Sequence, residues 1–127
     1  SNEIERYVRL AEWTIECIRW YTGRAEHIFI EDYAFAATGR VFNIGENTGI
    51  LKEYLHRNGF RFTTIPPTVI KKFATGKGNA KKELMYETFL EETNIDLQNR
   101  LSPRSIKITN PVSDIVDSYY ICKTGLL

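Results

Sequence analysis

A chain of 127 residues, 43% hydrophobic and 13% aromatic, is long enough for one domain with a real core and is neither fibrous nor disordered in composition. No apolar run approaches the roughly 18 residues that span a bilayer, and no basic stretch with an apolar segment opens the sequence, so the expectation is a cytoplasmic protein with no membrane partner. The net charge of +1 is uneven: Arg57, Arg61, Lys71, Lys72, Lys77, Lys81 and Lys82 stand between His56 and Lys82, where none of the 16 acidic residues falls. Such a patch is either a solvated face or a surface for a polyanion such as nucleic acid.

From Glu3 to Tyr21, Ile4, Val8, Ala11, Ile15 and Ile18 follow helical spacing opposite a polar stripe of Glu5, Arg9, Glu12, Glu16 and Arg19, and Gly23 is the expected stop. "HIFIE" (27–31) reads as a buried strand whose carboxyl end emerges at a site, with Glu31 at its edge. A second helix is expected over 39–58, ended by Gly59, since Val41, Ile44, Thr48, Leu51 and Leu55 repeat at three and four. Gly45 and Gly49 share a face of it, which predicts tight packing on the sheet or a symmetric dimer contact.

"FRFTTI" (60–65) alternates as a strand, Pro66 closes it, and Pro67 opens a short helix to about Ala74. "GKGN" (76–79) is a turn into a helix over 80–92, with Asn79 as its expected N-cap. Lys77, Lys81 and Lys82 then cluster at a helix N-terminus, where free N–H groups already favour anions. Residues 101–109 read as loop, and Asn110 and Pro111 as cap and first residue of the last helix.

In that helix Val112, Ile115, Val116 and Tyr119 define the expected packing face. Asp114 and Asp117, three positions apart, share an adjacent face. Two carboxylates so placed repel unless a cation lies between them, and with Glu31 they would make an oxygen-rich site for Mg²⁺ or Mn²⁺. The competing reading leaves both solvated, Asp114 gaining from the helix dipole. Cys17 and Cys122 lack zinc-site spacing and are expected as small buried hydrophobes in a reducing compartment. His27 and His56 are read as structural, and nothing calls for an organic cofactor.

The strand "IFIED", the stretch "VIKKFATGKGNAKK" and the final "SDIVDSYYI" stand in an order that resembles the RuvC-type Holliday junction resolvases of the RNase H-like superfamily, in a phage-like version. The resemblance implies an α/β RNase H-like fold, a mixed sheet flanked by helices, in one domain over 1–127. It implies Glu31, Asp114 and Asp117 as metal-binding carboxylates of a two-metal site, and Lys71 and Lys82 as lysines that handle DNA, Lys82 acting with the acids in catalysis. Lys72, Lys77 and Lys81 would widen the DNA-facing set, with a plain surface role as the alternative. Ala34 stands where the family carries an aromatic that stacks on bases; Tyr33 or Phe35 would substitute for it, or belong to the core.

One departure bears on the chemistry. The family fold starts with a hairpin whose first strand supplies another catalytic aspartate; that element is absent from this chain, and an N-terminally truncated chain is expected. Asp32 is a poor replacement, since it points to the side of the strand opposite Glu31. The expected function is a metal-dependent endonuclease that resolves four-way DNA junctions as a homodimer. Its competitors are a non-catalytic RNase H-like binding module and an RNase H-like nuclease for flaps or RNA–DNA hybrids.

Overall fold

The computed structural model describes residues 2–22, 27–32 and 41–127, which divide into two compact units, Ser1–Thr64 and Ile65–Leu127. Among the described residues no helix is long and apolar enough to cross a membrane.

The first unit holds α1 (Asn2–Thr22), β1 (Ile28–Glu31), α2 (Val41–Arg57) and the start of β2 (Phe62–Ile65). Helix α1 packs on α2. Its buried row is Tyr7, Ala11 and Ile15, one residue every four, with Leu55 of α2 in the same core. The expected stripe is thus rotated: Ile4 is exposed and Val8 and Ile18 are half-buried, because Tyr7 offers the larger apolar surface to cover. Arg19 ties the far end of α1 to the end of α2, its guanidinium donating to Asn58 Oδ1 at 2.8 Å while Asn58 Nδ2 donates to the Tyr54 carbonyl at 2.8 Å.

Gly59 stops α2 as expected. At φ +80° it lets its own N–H reach the His56 carbonyl (3.1 Å) and the Phe60 N–H reach the Leu55 carbonyl (2.9 Å). This paired closure satisfies carbonyls that the helix end would otherwise orphan, and it needs a left-handed residue. The tight sheet packing expected of Gly45 and Gly49 is not found: both are exposed, and among the described residues nothing lies within 4 Å of a Cβ built on either.

Strands β1 and β2 form a two-stranded parallel sheet joined through α2, the crossover that parallel neighbours require. The Ile28 N–H donates to the Arg61 carbonyl at 2.8 Å to open the ladder. Strand β1 is half-buried along its whole length rather than buried, so the expectation of a fully covered strand is corrected.

The second unit is a cluster of four helices: α3 (Pro67–Thr75), α4 (Lys82–Thr93), α5 (Leu97–Leu101) and α6 (Val112–Gly125). Helix α6 packs against the other three, and α3 against α4. Its core is Ile65, Ile70, Ala80, Met85, Tyr86, Phe89, Val112, Val116 and Tyr120. Pro67 takes the first turn of α3, where its missing N–H costs nothing, and Gly76 closes the helix at φ +85° with its N–H on the Lys72 carbonyl.

Three further expectations are corrected. Asn79 does not cap α4; the cap position is Lys81, whose extended backbone starts the helix two residues later with no side-chain cap. The packing face of α6 is Val112, Ser113, Val116 and Tyr120: Ile115 is 39% exposed and Tyr119 is half-buried, whereas Tyr120 is 1% exposed. Neither cysteine is buried, Cys17 being half-covered and Cys122 exposed. At 100° per residue, 112, 116 and 120 hold the stripe that faces α3 and α4, and Ile115 turns out of it.

Candidate active site

Asp114 and Asp117, the two aspartates of the expected site, sit in the first half of α6. Asp117 is half-buried beside the packing face, next to the buried Ser113, and Asp114 lies one step further round and is exposed. Asn110 and Pro111 do precede the helix, joined by a cis peptide bond, but Pro111 rather than Asn110 holds the cap position. Asn110 has another task. With its amide oriented so that nitrogen faces acceptors, it donates to the two carboxylate oxygens of Asp114 at 3.1 and 3.2 Å and to Ser113 Oγ at 2.7 Å. A residue that the sequence marked as a cap therefore orients the first carboxylate. Asp114 also lies in the first turn of α6, where the positive end of the helix dipole favours an anion.

The lysines lie on α3, in the turn after it and at the start of α4, the two helices that pack against α6. Lys71 is half-buried on α3, whereas Lys72, Lys77, Lys81 and Lys82 are exposed. Lys81 caps α4 and Lys82 is its first residue. Among the described residues the ion pairs within 4 Å are Arg57 with Glu53 and Lys123 with Glu92, so none of these five lysines is neutralised by an acid. Five ammonium groups without an acidic partner among the described residues, on α3, its following turn and the head of α4, make a cationic surface for an anion to cover.

Glu31 ends β1 in the other unit and is half-buried, as is Asp32 after it. Among the described residues no three His, Cys, Asp or Glu side chains gather as a metal-binding group. Tyr33 and Phe35 lie outside the described residues. His27 is structural as expected: Nε2 shares a 2.6 Å hydrogen bond with Thr63 Oγ1, and the ring stacks on Phe29 at 4.8 Å.

Two polar clusters have no counterpart in the sequence reading. On the α4–α6 face Glu92 accepts from Lys123 Nζ at 2.7 Å and from the Tyr119 hydroxyl. The hydrogen bond from Lys123, then that from Tyr119, holds the Glu92 carboxyl below its ordinary range, and the same contact raises the Tyr119 phenol. Under α5 the Tyr86 hydroxyl donates to Asp96 at 2.5 Å and accepts from the Gln98 N–H at 3.0 Å. No periodicity announces either cluster, because each joins residues ten or more positions apart.

No protein-family model matches the chain. The crossover junction endodeoxyribonuclease RuvC of Synechococcus sp. (strain CC9311) is 29% identical over 99 residues, which are 78% of this chain and 61% of that protein. Thus the chain spans about three fifths of the length of the curated relative it matches. The Thermus thermophilus RuvC structure superposes with a TM-score of 0.70 at 15% identity, over 98% of this chain and 69% of that one. T. thermophilus RuvC in complex with Holliday junction substrate superposes with a TM-score of 0.69 at 15% identity, over 96% and 68%. The chain therefore has the α/β, RNase H-like fold of RuvC, and its resemblance to the RuvC-type resolvases, a partial one by length, holds in both sequence and structure.

Proposed function

We propose that the chain is a divalent-metal-dependent, structure-selective endonuclease that cleaves branched DNA, a Holliday junction resolvase serving recombination and repair. The observation that carries this is the Asp114–Asp117 pair on α6, its first member held by Asn110, in a RuvC-like fold with lysines on α3 and α4 and between them that have no acidic partner among the described residues. The relative of known structure that was solved with Holliday junction substrate supports the choice of a four-way junction.

The donor set fits the metal. Carboxylate oxygens are what Mg²⁺ and Mn²⁺ take, and two anions on one helix face are relieved by a cation between them. Asp114 and Asp117 would be ligands of the metal, and the resemblance to the RuvC-type resolvases implies Glu31 as a further one; when bound, the metal would supply activation of water and stabilisation of the leaving oxygen. Asn110 fixes the direction of the Asp114 carboxylate, as groups behind a ligand do. Lys71 and Lys82 offset negative charge on the scissile phosphate, and Lys72, Lys77 and Lys81 bind the flanking backbone. Tyr33 or Phe35 would stack on a base near the branch.

We take the protein to be one domain that acts in the cytoplasm as a homodimer, since two strands must be cut. The Gly45/Gly49 face of α2, which no described residue approaches within 4 Å of a built Cβ, is where the two copies would meet. The test is cleavage of synthetic four-way junctions, flaps and RNA–DNA hybrids with Mg²⁺ or Mn²⁺. Faster cutting of the junction supports the proposal, a preference for flaps or hybrids makes this a different RNase H-like nuclease, and tight binding without cutting makes it a binding module.

A further inference from the structure

Between Asp96 and Asp114 the chain has no acidic residue, but it has Arg100, Arg104 and Lys107. Its middle, the 102–109 loop, is held from beneath by one side chain. Gln98 Nε2 donates to the carbonyls of Ser102 (3.3 Å), Ser105 (2.8 Å) and Lys107 (3.2 Å). The loop adds its own ties, Ser105 Oγ to the Lys107 carbonyl at 2.9 Å and the Ser105 N–H to the Ser102 carbonyl at 3.1 Å. Gln98 is in turn set by the buried Tyr86, whose hydroxyl accepts its N–H. The loop thus has a built shape, and its carbonyls are taken up from inside.

What this scaffold displays is Ile106, 99% exposed, between the exposed Arg104 and Lys107. Ile108, two positions on, is half-buried, whereas Ile106 at 99% exposed has no packing role. A rigid loop that turns an aliphatic side chain fully to water between two cations, and runs on into the Asn110 that holds Asp114, has the chemistry of a wedge against nucleic acid. Cations meet phosphates and the apolar tip covers an unstacked base face.

We propose that the 102–109 loop is a preformed contact for branched DNA, with Arg104 and Lys107 on phosphates and Ile106 against the exposed base pair at the branch. This rests on the reading of the chain as a protein of branched DNA. The test measures affinity of the full chain and its variants for a fluorescent four-way junction, and for a linear duplex of the same sequence, over a series of salt concentrations.

Arg104→Ala with Lys107→Ala is expected to reduce the slope of log affinity against log salt by about two. Ile106→Ser is expected to weaken junction binding about tenfold, leaving the duplex, the salt slope and the melting temperature as they were. Variants that bind the junction like the parent at every salt concentration would overturn the loop assignment and leave the proposed function standing. A parent chain that itself fails to bind the junction overturns both, and the two failures are told apart by which protein loses binding.

Discussion

With its nitrogen turned to the acceptors, the Asn110 amide lies 3.1 and 3.2 Å from the two carboxylate oxygens of Asp114, just before the first turn of α6. A carboxylate held by one neutral donor keeps its direction and still has lone pairs for a cation. Asn110→Ala should therefore raise the metal concentration that half-saturates cleavage by about tenfold, with little change in melting temperature. Metal titration of junction cleavage reads the effect; an unchanged half-saturation point removes Asn110 from the site.

Lys71 and Lys82 have no acidic partner among the described residues, which leaves each available to a phosphate. Lys71→Ala and Lys82→Ala should each flatten the salt slope of junction binding by about one unit. Affinities measured at four or five ionic strengths decide it, and an unaltered slope makes the residue an ordinary surface lysine.

Tyr120 is 1% exposed, and its buried hydroxyl has no hydrogen-bond partner among the described residues. Burial, then the nearby Glu92 charge, pushes its phenol up to about 12. Removing an unsatisfied buried hydroxyl returns its desolvation cost, so Tyr120→Phe should be neutral or stabilising by about 1 kcal/mol. Val116→Ala, which opens a cavity in the same core, should cost roughly 2 kcal/mol. Urea unfolding of both variants separates the two effects, and a strongly destabilised Tyr120→Phe would mean that the hydroxyl has a partner.

The Glu92 carboxyl is held below its ordinary value by the hydrogen bond from Lys123 and then by that from Tyr119. The folded state thus binds a proton less readily than the unfolded one. This contribution is fully present above the unfolded carboxylate value of about 4.3 and is lost as pH falls through the lower folded value. Glu92→Gln should flatten the fall of stability between neutral and acid pH, as should Lys123→Met. Unfolding midpoints from pH 7 down to 3 check this, and a variant whose acid fall matches the parent's rules the contact out.

Much of the scaffold was legible because punctuation residues act locally. Pro67, Gly59 and Gly76 fix helix ends through backbone geometry alone, and the i, i+3 spacing of Asp114 and Asp117 places them on one face wherever the helix packs. What was illegible depended on partners distant in sequence. Tyr119 and Tyr120 are adjacent aromatics, and which of them enters the core is decided by α4, where Glu92 draws the Tyr119 hydroxyl outward. Asn110 carries the signature of a cap, yet its amide turns to Asp114. Helix α5 has five residues, too few for periodicity to show. Gly45 and Gly49 predicted close approach, but the face they leave open on α2 is visible only once the helix is placed.

The sharpest test of the metal site at the head of α6 is single-turnover cleavage of a bound four-way junction with Mn²⁺, parent against Asp117→Asn. Loss of at least about 100-fold in cutting rate, with junction affinity kept, is the result expected when a metal ligand is removed. An Asp117→Asn protein that cuts at the parent's rate would contradict the assignment.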